Sequence, residues 1–419
     1  MSRESRVKIL ILSQYFKPEN FRINDIASTL SSFGHKVSVL TAQPNYPDGQ
    51  VFNGFSSFGI STRKEDTFDV SRVPIIPRGS ASFLRLALNY ISFVVSAAVF
   101  GPWLLRKKKI DVVFCYAVSP ILSALPGLLI AKLKKVPFVL NVQDLWPQSI
   151  SATGYSKNQF FLALVRIVVR FIYQHSDLIL VSSMPFIADV KKYNPDCEVI
   201  YFPNSVGDGY SSHAASFSTV LPKLPDGFNV VFAGNVGSAQ SIDTIIDAAE
   251  TLKNTPKINF IVIGSGSALN WLKSEIEARA LKNIVALGRF PPSDMPHFLS
   301  VADVLLVTLK DEEIFSYTVP NKIQAYLAMG RPIIASVPGE GGRIVKESGA
   351  GFHVAPESSE ELASCVLHLH GLTKENRALL GLNGKTYFQD NYDHLKLMHT
   401  LVRYLEEISK HTNEDKSNR

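Results

Sequence analysis

The chain has 419 residues, more than one hydrophobic core usually organises, so we expect two domains of about 200 residues each. Hydrophobic residues make up 46% of the chain and charged residues 19%, which excludes an intrinsically disordered protein. The net charge of +6 is unevenly distributed. Residues 1–204 hold 23 Lys and Arg against 13 Asp and Glu, and residues 205–419 hold the remaining 20 Lys and Arg against 24 Asp and Glu. A basic first half beside an acidic second half indicates an anionic partner for the first half only.

The first half begins with an alternation of strands and helices. A buried strand at residues 7–12 precedes an amphipathic helix at 22–33, and a second strand follows at 36–40. Further strands are predicted at 111–115, 138–141, 178–181 and 199–201. This alternation predicts a parallel sheet with helices on both faces, in the Rossmann-like manner. The N-terminus lacks a signal-peptide layout and the three cysteines are scattered, so we expect a cytoplasmic protein.

Two apolar segments of the first half fit either the protein core or a membrane. Residues 84–105 are almost entirely apolar, although Gly101 and Pro102 interrupt them, and Arg106 opens a run of four basic residues. Residues 160–172 carry Arg166 and Arg170 on one helical face. Both segments fit helices that cover the sheet, and both fit helices that lie on an anionic membrane; 84–105 is also long enough to span one. We expect no nucleic-acid partner, because no basic run is interleaved with aromatic residues.

The second half repeats the pattern after a segment rich in Pro, Ser and Gly at 203–227. Strands are predicted at 229–233, 259–263, 283–287, 304–307 and 332–335, with helices between them. The boundaries are therefore an N-terminal domain at 1–204, a C-terminal Rossmann-like domain at 205–385, and a helix with a polar tail at 386–419. Ligands bind at the carboxyl ends of such strands, so a cleft between the two sheets is the expected site.

Two turns of the second half place glycines directly after strands. Gly234 and Gly237 follow the first strand, and Gly264 and Gly266 follow the next. Each turn fits a tight connection, and each also lets backbone N–H groups approach a phosphate. Two such turns in succession favour a ligand that bears a diphosphate.

Side chains in three other segments are candidates for binding or catalysis. Lys322 lies in the first turn of a helix, where the macrodipole disfavours a cation, so a ligand phosphate is its expected partner, with a solvated lysine as the alternative. Glu340 follows a strand and fits either a hydroxyl-binding or a capping role. Asp144 and Trp146 follow an N-terminal strand. Asp144 fits a functional carboxylate or an N-cap or turn residue, and Trp146 fits sugar stacking or the core.

Several common catalytic motifs are absent from the sequence. It contains no Asp-x-Asp pair, HExxH, GxSxG or Walker A sequence, and His368 and His370 have no third ligand nearby. We therefore expect a metal-independent reaction without a cofactor, in which dipoles and cations stabilise the leaving group.

With these segments in place, the chain resembles the retaining nucleotide-sugar transferases of glycosyltransferase family 4, which have the two-lobed GT-B fold. The resemblance rests on residues 34–37 with 44–47, on 144–147, and on 319–332 with 339–340. These segments are most similar to the branch that builds bacterial O-antigen and capsule units, including N-acetyl-L-fucosamine transferases.

The resemblance implies that the C-terminal lobe holds the nucleotide and the N-terminal lobe the acceptor. Its implied site residues fall into a donor group and a group on the acceptor or diphosphate side. The donor group is Gly234, Asn235, Gln240, Gly264, Gly266, Arg289, Phe290, Asn321 and Glu340. The other group is Glu19, Arg22, Tyr46 and Trp146, and the catalytic candidates are Asp144 and Lys322.

The chain departs from the family at four charged positions. Asn235 and Gln240 stand where many members have an Arg and a Lys on the diphosphate, and Tyr317 and Ala325 replace two glutamates. Lys322 and Arg22 are the remaining candidates for positive charge.

The expected activity is transfer of an N-acetylated amino sugar, such as N-acetyl-L-fucosamine, from UDP to a lipid-linked saccharide. The reaction would take place at the cytoplasmic face of the plasma membrane, in O-antigen or capsule synthesis. A UDP-sugar 2-epimerase and a non-catalytic partner of a polysaccharide assembly complex remain alternatives.

Overall fold

The computed structural model describes residues 6–79, 82–152, 158–206 and 222–417. Contacts between residues divide the chain into two units. Unit 1 comprises Met1–Phe202 and Leu395–Arg419, and unit 2 comprises Pro203–His394. The connection predicted at 203–227 falls mostly on residues 207–221, which lie outside the described residues.

Unit 1 is built on a sheet of apolar strands. Its strands are β1 (Lys8–Leu12), β2 (Lys36–Ala42), β3 (Ser61–Glu65), β4 (Phe68–Val73), β5 (Val112–Ala117), β6 (Phe138–Val142), β7 (Leu178–Val181) and β8 (Glu198–Tyr201). Their order is β3-β4-β2-β1-β5-β6-β7-β8, and only β3 pairs antiparallel to its neighbour. The sequence does not predict β3 and β4, because the polar residues of β3 lie at the sheet edge and give no hydrophobic period.

The helices of unit 1 cover both faces of this sheet. They are α1 (Ile23–Ser32), α2 (Phe83–Leu104), α3 (Ala124–Lys134), α4 (Gln148–Ala152), α5 (Gln159–Gln174) and α6 (Pro185–Lys191). The predicted interruption at Gly101 and Pro102 does not end α2, which continues to Leu104. Gly101 is instead a contact point, since a Cβ there would lie 2.9 Å from Leu40 and 3.1 Å from Ile130.

Unit 2 contains a second sheet, in which every pair of neighbouring strands is parallel. Its strands are β9 (Phe228–Ala233), β10 (Ile258–Ile263), β11 (Ile284–Gly288), β12 (Val304–Thr308), β13 (Ile333–Ser336) and β14 (Gly351–Val354). Their order is β11-β10-β9-β12-β13-β14. Buried aliphatic residues on both faces of this sheet form the two cores of the unit.

Eight helices surround this sheet within the described residues. They are α7 (Ile242–Thr251), α8 (Leu269–Ala278), α9 (Met295–Ser300), α10 (Glu313–Tyr317), α11 (Asn321–Met329), α12 (Glu340–Glu347), α13 (Ser359–Gly371) and α14 (Lys374–Asn391). The predicted class, two doubly wound α/β domains with largely parallel sheets, is confirmed.

The last helix, α15 (His394–Ser417), returns to unit 1. Met398, Leu401 and Leu405 of this helix are buried in the same core as α1 and β1. The sequence predicts a polar tail from about residue 411, whereas the helix continues to Ser417.

Candidate active site

The strand order of unit 2 identifies where a ligand would bind. β9 lies between β10 and β12, so the chain leaves β9 toward one edge of the sheet and later fills the other. Ligands of doubly wound folds bind beyond the carboxyl ends of the strands at such a reversal. The turn that starts at Gly234 is at this position, directly after β9.

Three predicted glycines of unit 2 meet at this strand end. A Cβ on Gly264 would lie 1.7 Å from the carbonyl oxygen of Gly234, and one on Gly266 would lie 2.3 Å from that of Val236. The Val236 N–H donates to Ser265 O at 2.9 Å and joins the two turns. Because no side chain fits between these backbones, glycine is required at 264 and 266. The two turns predicted to act together do lie together.

Lys322 reaches the same strand end from the first turn of α11. A Cβ on Gly234 would lie 2.5 Å from Lys322 Cε, so the side chain crosses directly over this glycine. The ammonium donates to Gln240 Oε1 at 2.6 Å and lies 3.7 Å from the centre of the Phe232 ring. Burial lowers the pKa of Lys322 to about 7. Among the described residues no carboxylate pairs with this ammonium, so its contacts are a neutral amide and an aromatic face.

Two hydrogen bonds from neighbouring elements hold this arrangement in place. Thr308, at the end of β12, donates its hydroxyl to the carbonyl oxygen of Gln240. The Ala233 N–H donates to the Tyr326 hydroxyl at 3.0 Å, which ties α11 to the end of β9. Tyr326 is four residues after Lys322 and therefore on the same side of α11. Tyr326 was not predicted as a site residue, because in the sequence it is one more apolar position of a buried helix.

The other predicted donor residues are more exposed. Asn235 is exposed, and its side chain lies beside the glycine turns, 2.6 Å from where a Cβ on Gly237 would be. Asn321 is the exposed first residue of α11. Arg289 is exposed after β11, and the Phe290 ring packs against Phe298 with centroids 4.8 Å apart.

Glu340 is buried and held by a cation of its own helix. Arg343 donates to its two carboxylate oxygens, from Nη2 at 2.7 Å and from Nε at 2.8 Å. Such a bidentate pair fixes the carboxylate in one orientation. The helix begins at Glu340 instead of at Arg343 as predicted, because Gly339 with φ of 60° makes the preceding turn.

In unit 1 the buried Glu19 organises the loop after β2. Its Oε1 accepts the N–H groups of Asn45 and Tyr46, each at 2.8 Å, and its Oε2 accepts the N–H of Phe16 at 3.2 Å. Burial raises the pKa of Glu19 to about 7, against the lowering effect of these hydrogen bonds. These hydrogen bonds to the carboxylate fix the position of the loop that carries Tyr46.

Tyr46 is partly exposed and belongs to a cluster of aromatic rings. Its ring centroid lies 5.7 Å from that of Tyr15 and 5.2 Å from that of Phe21. The Arg78 guanidinium lies 5.0 Å from the centre of the Tyr46 ring. Tyr15 and Arg78 were missed by the sequence analysis, because nothing in their local pattern distinguishes them from core and loop residues.

Arg22, Asp144 and Trp146 lie near the carboxyl ends of β5 and β6. The charges of Arg22 and Asp144 act in opposite directions on the Tyr116 hydroxyl, whose pKa is raised mainly by burial. Burial also raises the pKa of Asp144 above its usual range, against a hydrogen bond with the Ser119 backbone. Trp146 is buried and donates its indole N–H to the Ser119 hydroxyl at 3.1 Å. Trp146 is thus part of the core at this end of the sheet.

No group of three or more His, Cys, Asp or Glu side chains is arranged to hold a metal ion in the part of the chain that the structure describes. The expectation of a metal-independent reaction stays a prediction from the sequence.

Comparison with protein families matches each unit to a glycosyltransferase model. Residues 20–204 match a glycosyl transferase 4-like domain, and residues 227–371 match glycosyl transferases group 1. WcaI of Escherichia coli K12, named as a colanic acid biosynthesis glycosyl transferase, is 26% identical over 403 residues, which are 92% of this chain and 97% of the relative.

Two solved structures share the fold over nearly their whole length. Sucrose-phosphate synthase from Thermosynechococcus elongatus superposes with a TM-score of 0.71 at 15% identity, over 96% of this chain and 99% of that one. HepE from Anabaena, solved in complex with UDP, gives a TM-score of 0.65 at 15% identity, over 96% and 100% of the two chains. With both units matched, the chain is a glycosyltransferase with the GT-B fold.

Proposed function

We propose that this glycosyltransferase transfers a sugar from UDP to a lipid-linked saccharide during surface polysaccharide synthesis, at the cytoplasmic face of the membrane. Two comparisons support the substrates: a full-length relative is named for colanic acid biosynthesis, and a structural neighbour binds UDP. We further propose an N-acetylated amino sugar such as N-acetyl-L-fucosamine as the donor sugar. That choice is supported by the resemblance of residues 319–332 to transferases of this type.

The observation that carries the proposal is the position of Lys322. Many family members carry a cation at the position of Gln240, and here the Lys322 ammonium lies 2.6 Å from the Gln240 side chain. The lysine therefore supplies from α11 the charge that position 240 lacks. Gly234 has no side chain, which leaves room for Lys322 to cross it, so a diphosphate at this strand end would meet the ammonium directly.

This arrangement suits a transfer in which the leaving group carries the developing charge. The bond between the anomeric carbon and the β-phosphate oxygen breaks, and UDP leaves with the electron pair. The acceptor hydroxyl forms the new bond on the same face, and its proton passes to the departing diphosphate. Lys322 would stabilise that diphosphate, on which negative charge builds up as the bond breaks.

On the acceptor side we propose the partly exposed Tyr46 ring as a stacking surface for a sugar. Glu19 holds its loop, and Arg78 places a cation beside the ring. A lipid-linked acceptor carries both a sugar and a phosphate, and this pair of side chains offers a contact to each.

Release of UDP tests the proposal against its alternatives. The protein is incubated with individual UDP-sugars, with and without a membrane lipid extract, and UDP is measured. We expect release with one donor only when the extract is present. Interconversion of two UDP-sugars without net UDP release would indicate an epimerase, and no binding of any UDP-sugar would indicate a non-catalytic partner.

A further inference from the structure

The outer side of α2 is a continuous row of exposed apolar side chains. Its members follow one another at intervals of three or four residues, with one such interval per helical turn. They are Leu84, Leu88, Ile91, Val95, Val99 and Trp103, of which Val95 is 56% exposed and Trp103 also 56%. Single exposed apolar residues are ordinary in soluble proteins, but a row along about five turns marks an interaction surface.

The neighbouring helices extend this row into a surface. α3 packs against α2, and α5 packs against α3. The exposed apolar residues of these two helices are Leu129, Leu133, Phe160, Leu164, Ile167 and Phe171. Together with the row on α2 they form what we call the α2–α3–α5 surface.

The charged residues of the three helices that form the α2–α3–α5 surface have a single sign. The three helices contain five basic residues and no acidic residue: Arg85, Lys132, Lys134, Arg166 and Arg170. The exposed Arg106, Lys107 and Lys109 follow directly after α2. An apolar surface whose three helices carry only cations complements a layer with an apolar interior and anionic headgroups.

The inner side of α2 shows how the helix meets such a layer. α2 is long and apolar enough to cross a membrane, with a mean hydropathy of 1.6, the one such helix among the described residues. However, the buried Asn89 donates to Ile76 O at 2.6 Å, and Ser96 donates to Pro74 O at 2.6 Å. A spanning helix would have to break these hydrogen bonds and expose Asn89 to hydrocarbon, which is costly. α2 is thus anchored in unit 1 and can offer only its outer side.

We infer that the α2–α3–α5 surface docks unit 1 onto an anionic phospholipid bilayer, with α2 lying along the membrane plane. The apolar side chains enter the boundary between headgroups and acyl chains, and the arginines and lysines contact the lipid phosphates.

The same helix connects the bilayer surface to the acceptor side. Asn89 Nδ2 also donates to Asn45 Oδ1 at 3.2 Å, and Asn45 directly precedes Tyr46. Docking of α2 would therefore fix the Tyr46 loop behind this helix, about 10 Å or one helix diameter from the bilayer surface that carries a lipid-linked saccharide. This last step rests on the proposed function; docking itself rests only on the α2–α3–α5 surface.

Flotation with lipid vesicles tests the docking without any sugar substrate. The full-length protein is mixed with vesicles of phosphatidylcholine alone or with added phosphatidylglycerol. We expect binding to the anionic vesicles that weakens at high salt. Val95→Glu should reduce the bound fraction at least about tenfold, because a charge replaces an apolar contact at the centre of α2. Leu382→Glu is the matched control, since Leu382 on α14 in unit 2 is 59% exposed and should retain binding.

Thermal unfolding of each variant shows whether it is folded, and Ile167→Glu on α5 replaces Val95→Glu if the latter is not. Absence of binding by the wild type, or equal loss in Val95→Glu and Leu382→Glu, would overturn the inference. It would also be overturned if light scattering showed that Val95→Glu separates a dimer while vesicle binding stays unchanged. Because the vesicles contain no saccharide, a failure of sugar transfer leaves this result unaffected.

Discussion

The ammonium of Lys322 lies 2.6 Å from the Oε1 atom of Gln240, although 82 positions separate the two residues in the chain. The contact joins the first turn of α11 to the turn after β9, at the reversal point of the sheet in unit 2. A cation at this place is held by neutral groups and lacks an anion among the described residues. The donor diphosphate of the proposed reaction is the anion that this position suits.

Removal of this cation should weaken catalysis without unfolding the protein. We expect Lys322→Ala to lower kcat/KM about 10- to 100-fold, because a charged hydrogen bond contributes about 1.5–3 kcal/mol. Lys346→Ala is the control, since Lys346 is an exposed lysine of the same unit. Steady-state kinetics of both variants, with equal melting temperatures, check the prediction; equal kinetics for the two variants would remove Lys322 from the site.

Binding of UDP should take up a proton at Lys322. In the protein without UDP, Lys322 has a pKa of about 7, so its side chain is mostly neutral at about pH 8. A bound diphosphate favours the charged form of this side chain. Affinity should therefore decrease as the pH rises from about 7 to about 9. Calorimetric titration at about pH 8, in buffers of different ionisation enthalpy, measures the uptake. The uptake should vanish in Lys322→Ala, and a wild type without uptake would contradict the lowered pKa of Lys322.

A side chain at position 234 should displace Lys322. In Gly234→Ala the new Cβ would lie 2.5 Å from Lys322 Cε, and φ of 142° adds backbone strain of about 1–3 kcal/mol. We expect both lower stability and a higher Kd for UDP. Gly330→Ala separates the two effects, because Gly330 has φ of 63° but its nearest neighbour is 3.5 Å away. The control should lose stability and keep its UDP affinity; a parallel loss of affinity would show that strain alone is responsible.

Glu19 should make unit 1 less stable as the pH rises. Its pKa is about 7 in the folded protein and 4.5 in the reference state, so the folded protein binds the proton more tightly. The resulting stability is fully present below about pH 4.5 and is lost as the pH rises through about 7. Relative to Glu19→Gln, the wild type should gain about 2–3 kcal/mol between about pH 8 and about pH 5. Chemical denaturation at both pH values measures this difference, and a constant difference would contradict the assignment.

The parts of the site that follow from local sequence were predictable, and those that depend on packing were not. Gly234, Gly264 and Gly266 were identified because each lies in the turn directly after a predicted strand, which the local sequence shows. Lys322 was identified because its position opposes the helix dipole. Its contact with Gln240 and the role of Tyr326 arise only when α11 packs against β9, which no local pattern encodes. For the same reason, the sequence could not decide whether Trp146 packs in the core or stacks on a sugar.

The fold shows the same division. Strands such as β1 and β9 were predicted because they are buried on both faces and read as continuous apolar runs. The edge strand β3 was missed because its residues are mostly exposed and polar. The outer row of α2 was visible as apolar sequence, but only the burial of Asn89 on the opposite side distinguishes a docked helix from a spanning one.

The mass of the lipid-linked product tests the proposed sugar transfer most directly. Purified protein is incubated with a UDP-sugar that raises its melting temperature and with membrane lipids, and the lipid-linked saccharides are analysed by mass spectrometry. We expect a species heavier by one sugar residue, formed by the wild type and by Lys346→Ala and strongly reduced with Lys322→Ala. Release of UDP without any lipid-linked saccharide gaining a sugar, or equal product from Lys322→Ala, would contradict the proposed transfer.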